Sequence, residues 1–207
     1  MARTGGNRMF LSKTKLKQLI KSSFRWEGLT VGRVYDGLVV AGGRWITWTE
    51  DGYIPNWLKA AVMEYTGELP KQGCMFKAKK DEPIQYEIAE NSLYDLPEMK
   101  RKCRYAYTVT PVVIKDQHSQ VRLLQQNTSG SILAVPETCC EIIDLSELGD
   151  ENAPSGPASV SESGGILLYK NEHSAYAFTP LDGVRDDARE IMDAVFAIDF
   201  SKIGEGR

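Results

Sequence analysis

The sequence predicts an α+β protein of two similar halves, each an antiparallel sheet with helices packed on one face. Three observations point there. Residues 38–66 (LVVAGGRWITWTEDGYIPNWLKAAVMEYT) and 166–196 (ILLYKNEHSAYAFTPLDGVRDDAREIMDAVF) share one order: apolar strand, polar turn, second strand, a Pro/Asp/Gly break, then an amphipathic helix. Short apolar runs separated by turn-type residues fill much of the remaining chain. The length of 207 residues suits one large domain or two of about 100 residues, with 42 % hydrophobic and 26 % charged content, as in ordinary globular chains. The expected division is an α+β half over 1–100, opened by a basic helix, and a β-rich half over 101–207 with a flexible loop at 149–165.

The first helix is expected to start near Ser12, a good N-cap, and to run through KTKLKQLIKSSF. Leu16, Leu19, Ile20 and Phe24 share one face, and Lys13, Lys17 and Lys21 recur every four residues along another. Strands are expected at Leu29–Tyr35 and Leu38–Ala41, then a Gly42–Gly43 hairpin turn, where positive φ is anticipated, and Arg44–Thr49. Asn56 is the expected N-cap of a second helix carrying Trp57, Leu58, Ala61, Val62 and Tyr65, closed by Gly67. Met75–Ala78 and Ile84–Ile88 read as a hairpin, and 89–104 as a charged connection with a short helical turn. The second half reads as strands at Tyr105–Ile114, Val121–Gln125, Ile132–Val135 and Cys139–Leu145. Residues 149–165 carry one large apolar side chain, Val160, too little burial to offset the cost of ordering. A final helix is expected from Asp186 or Asp187, with Val184, Ala188, Ile191, Met192, Val195 and Phe196 as its apolar stripe.

Composition narrows the function classes. No apolar run reaches the roughly 20 residues of a membrane span, and the basic N-terminus lacks the apolar stretch of a secretory signal. Its periodic helix reads as part of the fold rather than as a transit peptide. Cys74, Cys103, Cys139 and Cys140 show no CxxC spacing. Cys139 and Cys140, if on a strand, point to opposite faces, so reduced thiols in a cytoplasmic protein are expected and no metal site. No cofactor fingerprint is present: neither GxxxxGK[ST] nor GxGxxG occurs. Thr128–Ser131 reads as a hairpin turn.

Catalytic candidates are sparse. His118 and His173 both fall in polar turns between strands, where histidines are usually exposed. The carboxylate groups Glu50/Asp51 and Asp186/Asp187/Glu190 fit a turn and a helix start, respectively. No catalytic residue is assigned, and a non-enzymatic role is favoured.

Charge is the more informative signal. Residues 1–33 hold eight Lys/Arg and a single acid, Glu27, for a local +7, while the chain as a whole is −3. That asymmetry points to an anionic partner, or equally to an acidic face of the same fold. Lys13, Lys15, Lys17, Lys21 and Arg25 are the candidate nucleic-acid contacts, with Lys77, Lys79 and Lys80 in support; such contacts are sequence-independent and salt-sensitive.

Residues 9–88 run basic helix (KTKLKQLIKSSF), strand (LTVGRVY), strand–Gly-Gly–strand (LVVAGGRWITWT), helix (IPNWLKAAVMEYTG), strand–loop–strand (CMFKAKKDEPIQYEI). This order resembles one repeat of a DNA sliding clamp, the ring-shaped processivity factor of replication. The resemblance implies that the Lys-rich helix meets the DNA backbone, as the helices lining a clamp's central hole do. The second half departs from the pattern. It has no counterpart of the basic helix, and its helix at 186–197 begins with acids, so a ring lined by it would repel DNA. The expected function is a non-enzymatic binding or scaffolding protein, a clamp-like DNA-associated accessory factor, with Trp45, Trp48 or Trp57 exposed for a protein partner. The alternative is an enzyme or small-ligand binder with a pocket between the halves.

Overall fold

In the computed structural model, residues 9–88, 95–115, 119–146, 148, 152–182 and 186–203 are described. His118, the start of the 149–165 segment and Val184 lie outside them. The first half contains α1 (Lys13–Trp26), β1 (Leu29–Val34), β2 (Gly37–Ala41), β3 (Trp45–Glu50), α2 (Asn56–Thr66), β4 (Cys74–Ala78) and β5 (Gln85–Ile88). Then come α3 (Leu96–Lys102), β6 (Tyr105–Lys115), β7 (Gln120–Gln126), β8 (Ile132–Pro136) and α4 (Glu137–Glu141). The chain continues through β9 (Ser155–Ser159), β10 (Leu167–Lys170), β11 (Ser174–Phe178) and α5 (Asp186–Phe196). The fold is α+β, and its strands form one 11-stranded antiparallel sheet in the order β5-β4-β1-β2-β3-β11-β10-β9-β6-β7-β8.

The two hairpins of the repeated unit meet at the centre of this sheet. Strand β3 pairs antiparallel with β11 from Ser174 opposite Thr49 to Phe178 opposite Trp45. Alternation along the strands then sends side chains to two faces. On one face Val31, Val40, Trp45, Tyr169, Tyr176 and Phe178 join Leu16 and Ile20 of α1, Leu58 and Val62 of α2, and Cys139 of α4 in the main core. The opposite face carries two smaller clusters: Val39, Trp48, Leu168 and Ala177 under Leu96 of α3, and Leu123 and Ala134 under Val195 of α5 and Phe200.

Across the continuous sheet, helices therefore lie on both faces: α1, α2 and α4 on one, α3 and α5 on the other. The helices that close the two repeated units, α2 and α5, lie on opposite sides of the sheet. The likeness of the two segments is local, and each helix follows the apolar surface available to its own half.

Three further expectations change. Cys139–Leu145 is not a strand: Glu137–Glu141 forms the short α4, which lays buried Cys139 on the main core. The loop expected at 149–165 contains β9, which gains backbone hydrogen bonds from β10 on one side and β6 on the other. A central strand needs little side-chain burial of its own when both neighbours satisfy its backbone. Trp45 and Trp48 are buried, each 6 % exposed, one in each face's core, so neither is available to a partner, and Trp57 is half-buried.

Positive φ is not what the Gly42–Gly43 turn requires. A side chain at Gly42 would lie 2.1 Å from Ser23 Oγ, and one at Gly43 would lie 2.3 Å from Glu27 Oε2. The turn is glycine because it presses against the end of α1, where the Trp45 indole N–H donates to Ser23 Oγ at 3.2 Å and the Gly43 N–H donates to Glu27 at 2.8 Å. Pro55 precedes α2 as its N-cap, with Asn56 its first helical residue, and Gly67 closes it at φ 76°.

The thiols divide by burial. Cys74 is exposed and Cys103 half-buried, with burial pushing the Cys103 thiol up. Burial pushes Cys139 up to about 11 and Cys140 up to about 12. Thiolate is the reactive form, so at pH 8 iodoacetamide is expected to modify Cys74 first and to leave Cys139 and Cys140 largely unmodified in the native state. Timed labelling with peptide mass spectrometry checks this; modification of the Cys139–Cys140 pair as fast as Cys74 contradicts the placement of α4.

Candidate nucleic-acid interface on the basic helix

Helix α1 owes its position to its apolar stripe. Leu16, Ile20 and Ser23 are buried, and Phe24 packs on Tyr65 of α2 with ring centroids 5.1 Å apart. The chain entering the helix is pinned to the end of α4: the Ser12 N–H donates to the Ile142 carbonyl at 2.8 Å, and the Asp144 N–H donates to Phe10 at 2.9 Å.

The five predicted cations then separate. Lys15 leans toward α4 and pairs with Glu141 at 2.8 Å, so it serves as an intramolecular link. Lys13, Lys21 and Arg25 are exposed and Lys17 is half-buried. Among the described residues, none of these four has a carboxylate within salt-bridge distance. Spaced four apart, they follow a shallow spiral along about 18 Å of the helix flank. Arg25 lies near enough to α2 to act on Tyr65, whose phenol is pushed up by burial and by Glu64, with the Arg25 charge opposing.

Lysines from the β4–β5 turn gather at the C-terminal end of α1. The Lys80 N–H donates to the Phe24 carbonyl at 2.9 Å, which docks the turn there. Lys79 is paired with Glu82 at 2.7 Å and Lys80 with Asp81 at 3.7 Å. The stem of Lys77 runs over Gly28, where an added side-chain carbon would meet Lys77 Cε at 2.3 Å.

Trp26, the last residue of α1, is 74 % exposed, the most exposed large hydrophobic side chain among the described residues. It falls outside the Leu16–Phe24 apolar stripe of α1. That position off the stripe is the signal that its ring faces outward.

His173 is not the exposed hairpin-tip residue expected. Its ring stacks on Tyr53 at 3.4 Å with 8° between planes, and Nδ1 lies 2.7 Å from Glu50 Oε2. The Glu50 N–H also donates to the His173 carbonyl at 3.0 Å. This cluster ties the two central hairpins together. Asp51 is likewise engaged, by Arg33 at 2.6 Å.

A depression of about 220 Å³ at the β3–β11 joint is lined by Trp45, Ile166, Phe178 and the Gly42–Gly43 turn, with Arg44 its one charged residue. Arg44 is turned to the Pro180 carbonyl at 3.1 Å and toward Asp182 at 3.8 Å. A second, of about 350 Å³, lies between the Thr110–Pro111 bulge and α4, where Arg122 is occupied by Glu137. Among the described residues no group of three or more His, Cys, Asp or Glu is placed to hold a metal ion, and no helix is long and apolar enough to cross a membrane.

No protein-family model matches the chain, and no curated protein matches it in sequence. Among solved structures it is similar to a DNA polymerase III subunit beta sliding clamp from Bartonella birtlesii, at 10 % identity and a TM-score of 0.35. The beta subunit from DNA polymerase of Streptococcus pyogenes aligns at 11 % identity with a TM-score of 0.31. The DNA polymerase III beta chain of Streptococcus pneumoniae aligns at 9 % and 0.33. Each alignment covers 87 % of this chain and 66 % of the other, so the chain spans about two thirds of the length of those clamps.

Proposed function

We propose that this is a non-enzymatic binding or scaffolding protein, a DNA-associated accessory factor that meets the phosphate backbone with the outer flank of α1. The observation that supports this reading is the row Lys13, Lys17, Lys21 and Arg25, four cations without carboxylate partners among the described residues, while neighbouring Lys15, Lys79 and Lys80 each have one. Like charges four residues apart on a helix repel by a few tenths of a kcal/mol per pair. An anionic ligand relieves that repulsion and gains the release of counterions condensed on the nucleic acid.

Binding of a fluorescein-labelled duplex, followed by anisotropy, is expected to weaken with salt. Four phosphate contacts give a log–log slope of about −3 to −4. Changing Lys13, Lys17 and Lys21 together to Glu is expected to abolish binding at low salt. The helix is expected to survive this change, since Lys13 and Lys21 are exposed, Lys17 is only half-buried, Glu is a good helix former and an acid at position 13 suits the first turn; circular dichroism checks that. Absence of duplex binding by the unaltered protein at low salt, or unchanged binding by the triple variant, overturns the reading.

A further inference from the structure

We infer that the C-terminal end of α1 is a stacking platform for an unpaired base, so that the nucleic acid taken by this surface is single-stranded where it reaches Trp26. The inference rests on the reading of α1 as a phosphate-contacting helix and adds the kind of strand it prefers.

Trp26 ends the helix immediately after Arg25, the last cation of the row, and is 74 % exposed. The two central tryptophans, by contrast, are buried in the sheet's cores, each 6 % exposed. Two cations with no salt-bridge partner among the described residues lie close to Trp26 along the chain or across the helix end. Arg25 precedes it, and the Lys77 stem crosses Gly28 two residues after it. The acid beside it, Glu27, is held by the Gly43 N–H at 2.8 Å, which engages its carboxylate at the β2–β3 turn. The Lys79–Lys80 turn is fixed to the same helix end through the Phe24 carbonyl.

An outward aromatic face bordered by cations on two elements is the pattern that binds single strands: cations follow the backbone while the ring stacks on a base. A duplex offers phosphates to the row but keeps its bases stacked on one another, so it leaves the Trp26 face unused. Stacking does not depend on base identity, because every base presents a π-face.

The test compares a short labelled oligothymidylate with a blunt-ended duplex of matched length, for the full chain and for Trp26→Ala and Trp26→Phe. The expected result is a loss of about 5- to 150-fold in oligothymidylate affinity for W26A, a clearly smaller loss on the duplex, and substantial recovery in W26F. Indole fluorescence of the unaltered protein is expected to be quenched by oligothymidylate more than by duplex. Equal losses on both ligands, or W26A binding oligothymidylate as tightly as the unaltered protein, overturn the platform while leaving the phosphate reading intact. Failure of the unaltered protein to bind either ligand overturns both. Because Trp26 is exposed, its removal opens no cavity, and matching unfolding curves establish that the variants are folded.

Discussion

Phe178→Ala is expected to lower the unfolding free energy by about 3–5 kcal/mol. Phe178 is 1 % exposed and sits opposite Trp45 in the β3–β11 register, at the one strand pair that joins the two central hairpins. Its ring stacks on Tyr169 at 6.1 Å and tilts against Tyr176 at 5.6 Å. Truncation removes the transfer free energy of a phenyl group and leaves a void in a layer of rigid aromatic and β-strand neighbours that cannot collapse into it. Phe178→Leu keeps most of the volume and is expected to cost about 1–2 kcal/mol. Urea unfolding followed by circular dichroism measures both. A change below about 1 kcal/mol in F178A contradicts the central position of the β3–β11 joint. A second transition confined to one half would show that the halves unfold separately once the joint is weakened.

Arg122→Ala carries a comparable effect for a different reason. Glu137 has only 7 % of its side chain exposed, and Arg122, at 20 %, grips it through both arms of the guanidinium, Nε lying 2.7 Å from Oε2. A third bond runs from Arg122 Nη1 to the Thr110 carbonyl at 3.0 Å, across the bulge where the β6–β7 register shifts. The pairing with Glu137 holds the guanidinium above its ordinary range. Removing the arginine strands a carboxylate that water barely reaches, so a loss of about 3–5 kcal/mol is expected. Replacing both partners, Arg122→Met with Glu137→Leu, removes the buried charge together with its partner, and recovery of most of the loss is expected. If the double variant is no more stable than R122A in urea unfolding, the pair is not the origin of the effect.

Much of the secondary structure was legible because its causes are local. The apolar spacing of Leu16, Leu19, Ile20 and Phe24 specified α1, and Gly67 stopped α2 where expected. The strands from Leu29 to Glu50 alternate or run apolar enough to be read directly. Short segments failed for the opposite reason. ETCCE has no period long enough to separate helix from strand, and its helical state follows from what Cys139 packs on. SGPAS looks like loop by composition and becomes a strand because β10 and β6 supply its hydrogen bonds.

The candidate surface shows the same division. That the first helix is basic is plain in the sequence, and so is the excess of positive charge before residue 34. Which lysines remain unpaired is not. Lys15 differs from Lys17 only in facing Glu141, a residue 126 positions away. His173 looked exposed because its neighbours are polar, yet the ring is held by Tyr53 and Glu50 from a distant hairpin.

Periodicity, turn chemistry and charge count act over a few residues, and they were enough to place α1, α2 and α5, most strands and the basic flank. The meeting of β3 with β11, the sides taken by α2 and α5, the burial of Trp45 and Trp48 and the exposure of Trp26 depend on contacts between residues far apart in the chain. Apolar burial is not directional, so a sequence shows which faces must be covered, while packing in three dimensions decides what covers them and what remains free to bind.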